Sequence, residues 1–298
     1  MPCRNEEWIL GLSARAVLQW ADLLIIGLHA CTDRSAQIAS EIEDGNEDRV
    51  VICRLDGETW AEMAHRQYLL ETARMVGATH LAIVDADEVL TGNLLPTIRP
   101  MISAIPPGQI LQLPWICLAG GTNRYYSQGV WSEQQVSMAF PDDPAYHWKA
   151  RAGYDFHHRH PMGLPCNPTR PYPPFQKPPV GGLMHLQFVS GRRLRAKQAW
   201  YKIQELLRWP GREPVSVVDQ RYNLAVYGQG GATADIQPTA ECPASWWEPY
   251  SDLMKHLDTR QIPWQEQKII EALNEYGPKK FADLDLFGIG ESEGRRNL

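Results

Sequence analysis

The chain has 298 residues, 44% of them hydrophobic and 21% charged, which is ordinary for a soluble globular protein and compatible with one large α/β domain or a domain with an appendage. A net charge of −6 argues against a general electrostatic grip on nucleic acid and leaves only the local basic run Arg192 to Lys197. The six cysteines contain no Cys-x-x-Cys pair, which argues against structural zinc and for reduced thiols in a cytoplasm.

No secretory leader is readable at the start of the chain. The longest apolar run, Ala21 to Leu28, includes Asp22 and is too short to span a bilayer. Trp8 to Ala21 has helical spacing, with Asn5 as a candidate cap. Leu23 to Leu28 reads as a buried strand, followed by the polar turn His29 to Ser35 and a helix from Ala36 to about Asp44. Val50 to Leu55 is the next strand, and Glu58 to Val76 again carries apolar residues at helical spacing. The run His80-Leu81-Ala82-Ile83-Val84 then leads into Asp85-Ala86-Asp87-Glu88. Strand, helix, strand, helix, strand is the pattern of an open, mainly parallel sheet.

After Glu88 the alternation stops. Ile110 to Ile116 reads as a strand, and Gly120 to Val180 is rich in Gly, Pro, Tyr and His with little periodicity, as expected of a lid or substrate-binding loop. Gly181 to Phe188 is a short strand, Gly191 to Trp209 an amphipathic helix, and a further helix is expected near Gln265 to Tyr276. Trp246 and Trp247 are expected to pack a C-terminal appendage onto the main domain.

The chemistry concentrates at the carboxyl end of the His80 strand, where ligands of α/β sheets bind. In extended geometry Asp85 and Asp87 point to the same side, and two converging carboxylates repel unless a cation lies between them. Oxygen ligands suit Mg2+ or Mn2+, which take the rest of their shell from water and a substrate diphosphate. Glu88 is expected on the opposite face, in a structural role. In His157-His158-Arg159-His160 only His158 and His160 would share a side, and a loop contacting phosphate is favoured over a metal site.

Arg4-Asn5-Glu6, the turn Cys31-Thr32-Asp33-Arg34-Ser35, the helix leading to Asp85-Ala86-Asp87-Glu88, and His185 before a basic helix together resemble the family 2 glycosyltransferases, in particular a small bacterial branch with RNE and DADE pieces. The resemblance covers Met1 to Leu113, and more loosely extends through Trp209. It implies a GT-A fold: an α/β open, mainly parallel sheet flanked by helices over 1–210, with a nucleotide-sugar half (1–113), an acceptor half with lid loops (114–210), and a C-terminal helical extension (211–298).

By the same resemblance Asp85 and Asp87 would meet a divalent metal, Mn2+ or Mg2+, and the donor diphosphate, and His185 would add a metal or phosphate contact. Arg4, Asn5, Glu6, Asp33 and Arg66 would line the donor site, and Lys197 would neutralise diphosphate charge. The implied activity is metal-dependent transfer of a sugar from a nucleotide diphosphate donor to a saccharide, lipid-linked glycan, protein or modified nucleic-acid acceptor. Two departures stand out. Only Met1-Pro2-Cys3 precede the RNE piece, so the first strand is expected to be very short or the chain to begin downstream of the ancestral start. Gly27-Leu28-His29 stand where the family commonly has a base-recognising acidic residue.

An inverting transfer needs a general base, and Glu133, Asp142, Asp143 and Asp155 are the acidic candidates in the irregular region. Trp131, Trp148, Trp246 and Trp247 are candidates for sugar stacking or for core. A nucleotidyltransferase would use the same Asp pair, but its glycine- and basic-rich first loop is absent. A non-catalytic nucleotide-sugar binding module is the alternative outside enzymes.

Overall fold

The computed structural model describes residues 1–57, 59–150, 159–164, 178–228 and 238–290. In it the alternating amino-terminal pattern is present. Strands β1 (Pro2–Cys3), β2 (Leu24–His29) and β3 (Val50–Leu55) pair in parallel in that order, with Cys3 opposite Leu28 and Gly27 opposite Cys53. The helices α1 (Leu10–Val17), α2 (Ser35–Glu43) and α3 (Glu62–Met75) separate them from one another and from β4 (His80–Ala82). Leu10, Ala14 and Val17 of α1, Leu24, Ile26 and Leu28 of β2, and Ala39 and Ile42 of α2 share one buried cluster. Apolar residues at helical and alternating spacing produce this layering directly.

The second sheet departs from the expected parallel form. Its order is β4–β8–β6–β9–β5, from β5 (Glu88–Leu90), β6 (Leu111–Cys117), β8 (Gln135–Pro141) and β9 (Leu183–His185). Only β6–β9 is parallel; β4–β8, β6–β8 and β5–β9 are antiparallel. The apolar run at His80 therefore belongs to an edge strand rather than to a strand buried on both faces. Gly182 precedes β9, where a Cβ would stand 2.2 Å from the Pro114 carbonyl oxygen, so only glycine fits this approach of two backbones.

β1 is two residues long, and both it and β4 lie at sheet edges. A cavity of about 470 Å³ lies beside them, lined by Met1, Leu24, Ile25, Leu81, Ile83 and Phe140 among others. The Met1 ammonium donates to the Ile25 carbonyl at 2.9 Å, and burial draws its pKa down to about 5.

Helix α4 (Leu95–Ser103) was not expected from a stretch containing Pro96 and Pro100; Pro96 falls in its first turn, where proline is tolerated. The helix α5 (Gly191–Arg208) follows the predicted bounds closely, with Ser190 accepting the Arg193 N–H as its cap. It is followed by α6 (Val215–Tyr227), unforeseen because Val215, Val217 and Val218 favour strand, and by α7 (Trp264–Tyr276). Short strands β7 (Arg124–Tyr126) and β10 (Thr239–Glu241) pair, fixed by Arg124 donating to the Thr239 hydroxyl at 2.8 Å.

One compact unit comprises Met1–Cys117, Trp131–Leu186 and Glu241–Asp258; the other comprises Leu118–Val130, Gln187–Ala240 and Thr259–Leu298. The Trp246 indole is buried within the first unit and donates to the Val180 carbonyl at 3.3 Å. The second unit has its own core of Ala199, Ile203, Ile269, Ala272, Phe281 and Leu284. Within it Lys202 is fully buried, donating to Asp219, Asn223 and the Asp285 carbonyl at 2.8, 2.7 and 2.6 Å. No helix among the described residues is long and apolar enough to cross a membrane.

Candidate functional site

Two groups of polar side chains stand at the carboxyl ends of β2 and β4 in the first unit. In the first, Asn5 takes a left-handed backbone (φ 54°) and its Oδ1 accepts the Thr32 N–H at 2.7 Å. Asn5 is thus not a helix cap; α1 begins five residues later, and the Asn5 side chain ties the end of β1 to the turn after β2. Asp33 completes the tie, accepting from the Glu7 and Ser35 amides at 3.0 and 2.9 Å. The Glu6 carboxylate accepts from the Trp8 indole at 2.5 Å.

Behind this turn lie two buried imidazoles. His29 is the last residue of β2, and His65 stands in the first turn of α3, their ring centroids 4.4 Å apart. Trp60 meets both rings edge-on, and the Arg4 guanidinium lies 3.5 Å from His29 Nδ1. Burial, then the neighbouring His29 and Arg4, draw the His65 pKa down to about 4, and its Nδ1 has no hydrogen-bond partner among the described residues. Sequence reasoning noted His29 only as a departure and passed over His65. The signal available was a histidine immediately before Arg66, on the face a helix turns inward.

The second group is built on a turn. Residues 85–87 are not extended: the Glu88 amide donates to the Asp85 carbonyl at 3.1 Å, closing a four-residue turn. The expected same-side display of Asp85 and Asp87 is therefore replaced by two separate sets of contacts. Arg66 donates to Asp85 at 3.1 Å and pairs with Glu62 at 2.8 Å. Arg159 donates to Asp85 Oδ2 at 2.8 Å and reaches both Glu88 oxygens at 2.8 and 2.9 Å. Asp87 Oδ2 lies 3.5 Å from His185 Nε2 across the β5–β9 ladder. His185 in turn stacks on the Trp115 indole at 4.3 Å.

Glu88 is the hub, a role the sequence reading turned away from the pair. It is fully buried and accepts from the Asp85 amide, the Trp115 indole and both Arg159 nitrogens. The turn, by ending the extended conformation, brings its side chain back beside Asp85. Burial alone would raise the Asp85 pKa; Arg66 and then Arg159 outweigh it and hold the carboxyl at about 2. Burial lowers Arg159 in the same way, but Glu88 and Asp85 more than restore it. Both guanidiniums are thus charged and held against carboxylates.

The structure therefore brings together Arg4, Asn5, Glu6 and Asp33 in one group and Arg66, Asp85, Asp87 and His185 in the other. Glu133 is exposed on the turn entering β8. Antiparallel pairing places that turn at the end of the sheet where β4 leads into Asp85. Asp142 and Asp143 lie at the opposite end. The Asp142 amide donates to the Thr79 carbonyl, Arg74 grips its carboxylate with two bonds of 2.9 Å, and exposed Asp143 accepts from Ala145. Lys197 lies on α5 in the second unit. Trp148 is core, packed with Phe140, and Trp131 is part-exposed. Asp155, His157 and His158 lie outside the described residues.

Among the described residues no three His, Cys, Asp or Glu side chains converge as a metal site. Asp87 and His185 offer two adjacent donors, and a hard divalent cation with two protein ligands completes its shell from phosphate and water. These two donors are chemically compatible with a hard cation that draws most of its shell from outside the protein, while Asp85 is held by Arg66 and Arg159.

No protein-family model matches the chain, and no curated protein matches it. Among solved structures it is similar to S. aureus TarS 1-349, at 11% identity over 100% of this chain and 90% of that chain, with a TM-score of 0.37. A second structure of the same TarS fragment, in complex with UDP-GlcNAc, gives 12% identity over 99% and 90%, again with a TM-score of 0.37. Likeness of this degree assigns neither fold nor activity.

Proposed function

We propose that the chain is a glycosyltransferase that binds a nucleotide sugar and transfers its sugar to an acceptor hydroxyl. The observation that supports this best is the pairing of two unlike groups on consecutive residues of α3. His65 belongs to the imidazole and indole group at the end of β2, and Arg66 to the charged group after β4. A nucleoside diphosphate asks for that adjacency: flat faces and an unpaired polar edge for a base, and planar cations for its phosphates. In this reading Arg4, Asn5, Glu6 and Asp33 lie along the nucleoside. Arg66 and Arg159 exchange carboxylate partners for phosphate oxygens and hold them as the leaving group gains charge.

Mn2+ or Mg2+ would be held by Asp87 and His185 with Asp85 beside them, the imidazole favouring Mn2+. When bound, that ion neutralises charge on the diphosphate. Glu133 is the acidic residue at the same sheet end as candidate acceptor of the hydroxyl proton.

The test is a thermal shift with uridine and guanosine diphosphates and their sugars, with Mn2+ or with chelator, on wild type and Asp87→Ala. A ligand that binds the folded state raises the melting temperature. A nucleotide-selective rise that needs Mn2+ and disappears in Asp87→Ala, with slow donor hydrolysis, is expected. A rise without any hydrolysis or transfer would identify a binding module. No rise with any donor at about 1 mM, some hundredfold above a 10 μM Kd, would refute the proposal.

A further inference from the structure

Two of the six cysteines meet where β1 and β2 end. Cys3 closes β1 and is 1% exposed, while Cys31, two residues past β2, is part-exposed. The parallel register sets Cys3 opposite Leu28, and the left-handed backbone at Ala30 (φ 43°) turns the chain back towards it. A non-glycine residue in that conformation is strained and persists only where its surroundings hold it. Here the Asn5 bonds to Thr32 do so. As a result the Cys31 thiol donates to the Cys3 carbonyl at 3.6 Å, which sets the two cysteines side by side.

We propose that Cys3 and Cys31 are a reversible redox site, forming a disulfide by exchange with a low-molecular-weight disulfide such as glutathione disulfide. The sulfur of the part-exposed Cys31, as thiolate, attacks one sulfur of glutathione disulfide, and one glutathione thiolate leaves. The Cys3 thiol then loses its proton and displaces the second glutathione from Cys31. The balance is two protein thiols and one glutathione disulfide giving one protein disulfide and two molecules of glutathione.

The two sulfurs are unlike in the way these roles require. A hydrogen bond from the Cys3 thiol, opposed by burial and helped by the Asn5 amide, draws the Cys31 pKa down to about 7. The same bond, with burial, pushes Cys3 well up, so it attacks only once the mixed disulfide is beside it. At pH 7 the larger thiolate fraction, offset by lower nucleophilicity, makes Cys31 react roughly threefold faster than an ordinary cysteine. Two thiols elsewhere differ: Cys117 and Cys242 are both pushed up by burial, Cys242 to about 12.

The inference is independent of glycosyl transfer, since it rests only on the sulfur pair. Its structural effect would be to lock the Asn5 turn onto Thr32 and Asp33. The reduced full chain is incubated with glutathione disulfide over a range of glutathione ratios, quenched with an alkylating agent, and mapped by peptide mass spectrometry. Expected are the loss of two thiols, a Cys3–Cys31 linked peptide, and a rate that rises with pH through about 7. Cys3→Ser should stop at a glutathione adduct on Cys31, and Cys31→Ser should leave Cys3 unmodified. Wild type that stops at the adduct, pairs other cysteines, or keeps all its thiols at ratios that oxidise a vicinal dithiol peptide would overturn it.

Discussion

Replacing Glu88 with alanine removes four hydrogen bonds at once from a fully buried position. Arg159 keeps Asp85 and the Ile83 carbonyl as partners but loses both bonds to Glu88, and the Trp115 indole loses its 2.8 Å acceptor. Removing one partner of a buried pair costs about 3–5 kcal/mol, because the remaining charge is left poorly compensated. For a unit of this size that corresponds to a fall in Tm of roughly 6–20 °C, read by calorimetry at neutral pH. Asp142→Ala is the control. It also breaks a two-bond pair, but Arg74 is 27% exposed and retains the Asp143 and Tyr146 carbonyls. Its loss should stay near 1 kcal/mol, a shift of about 2–4 °C. If Glu88→Ala melts no lower than Asp142→Ala, Glu88 is not the hub of this group and the ordering of burial over bond count is mistaken.

Arg159→Met should raise the Asp85 pKa from about 2 towards the ordinary carboxylate value, observable by NMR titration of the Asp85 carboxyl; an unmoved value would mean that Arg66 alone sets it. Stability should fall as pH drops from about 6.5 to 4, because the unfolded chain binds a proton at its histidines where folded His65 does not; His65→Gln should flatten denaturant midpoints across that window, and an unchanged slope would count against the buried imidazole. Gly182→Ala places a Cβ against the Pro114 carbonyl and should lower Tm by more than any exposed Gly→Ala change, with a wild-type Tm as the refuting result. Lys202→Met leaves Asp219 and Asn223 without their buried cation and should cost the second unit about 3–5 kcal/mol; a denaturation curve that overlays wild type would show that the lysine is not needed there.

The amino-terminal layers were legible because their signals are local. Val50–Leu55 is predicted to the residue, and Leu24–His29 and Ser35–Glu43 to within one, since buried strands and amphipathic helices write their period into neighbouring residues. The resemblance assigned Arg66 and Asp85 each to the donor site, but that they pair with one another was not read from the sequence. Arg159 could not be found in the same way: it reaches Asp85 and Glu88 from 74 and 71 residues away, out of a stretch without periodicity. The error at Asp85-Ala86-Asp87 was geometric. The strand was carried from its end at Ala82 on through Asp87, and a turn there changes which side chains share a side. The antiparallel second sheet escaped because β8, which pairs with both β4 and β6, lies within the Gly-, Pro-, Tyr- and His-rich stretch that was read as loop, although Val136, Met138 and Phe140 alternate with Ser137 and Ala139.

The order in which the two units are threaded has a consequence for how the protein is made. The first unit recruits its last segment from Glu241–Asp258, after most of the second unit has already been synthesised. That segment is needed early in the structure: the Asp258 amide donates to the Trp8 carbonyl at 2.8 Å, and a Cβ added at Gly11 would stand 3.0 Å from His256 Cβ. At about 5–20 residues per second, α1 therefore waits on the order of ten seconds or more for a neighbour 250 positions away in the chain. During elongation the part of its surface that meets this segment stays uncovered, while β2 and α2 already cover the rest. No single cut between the units yields two autonomous halves, which makes split expression and domain transplantation poor routes for handling this protein.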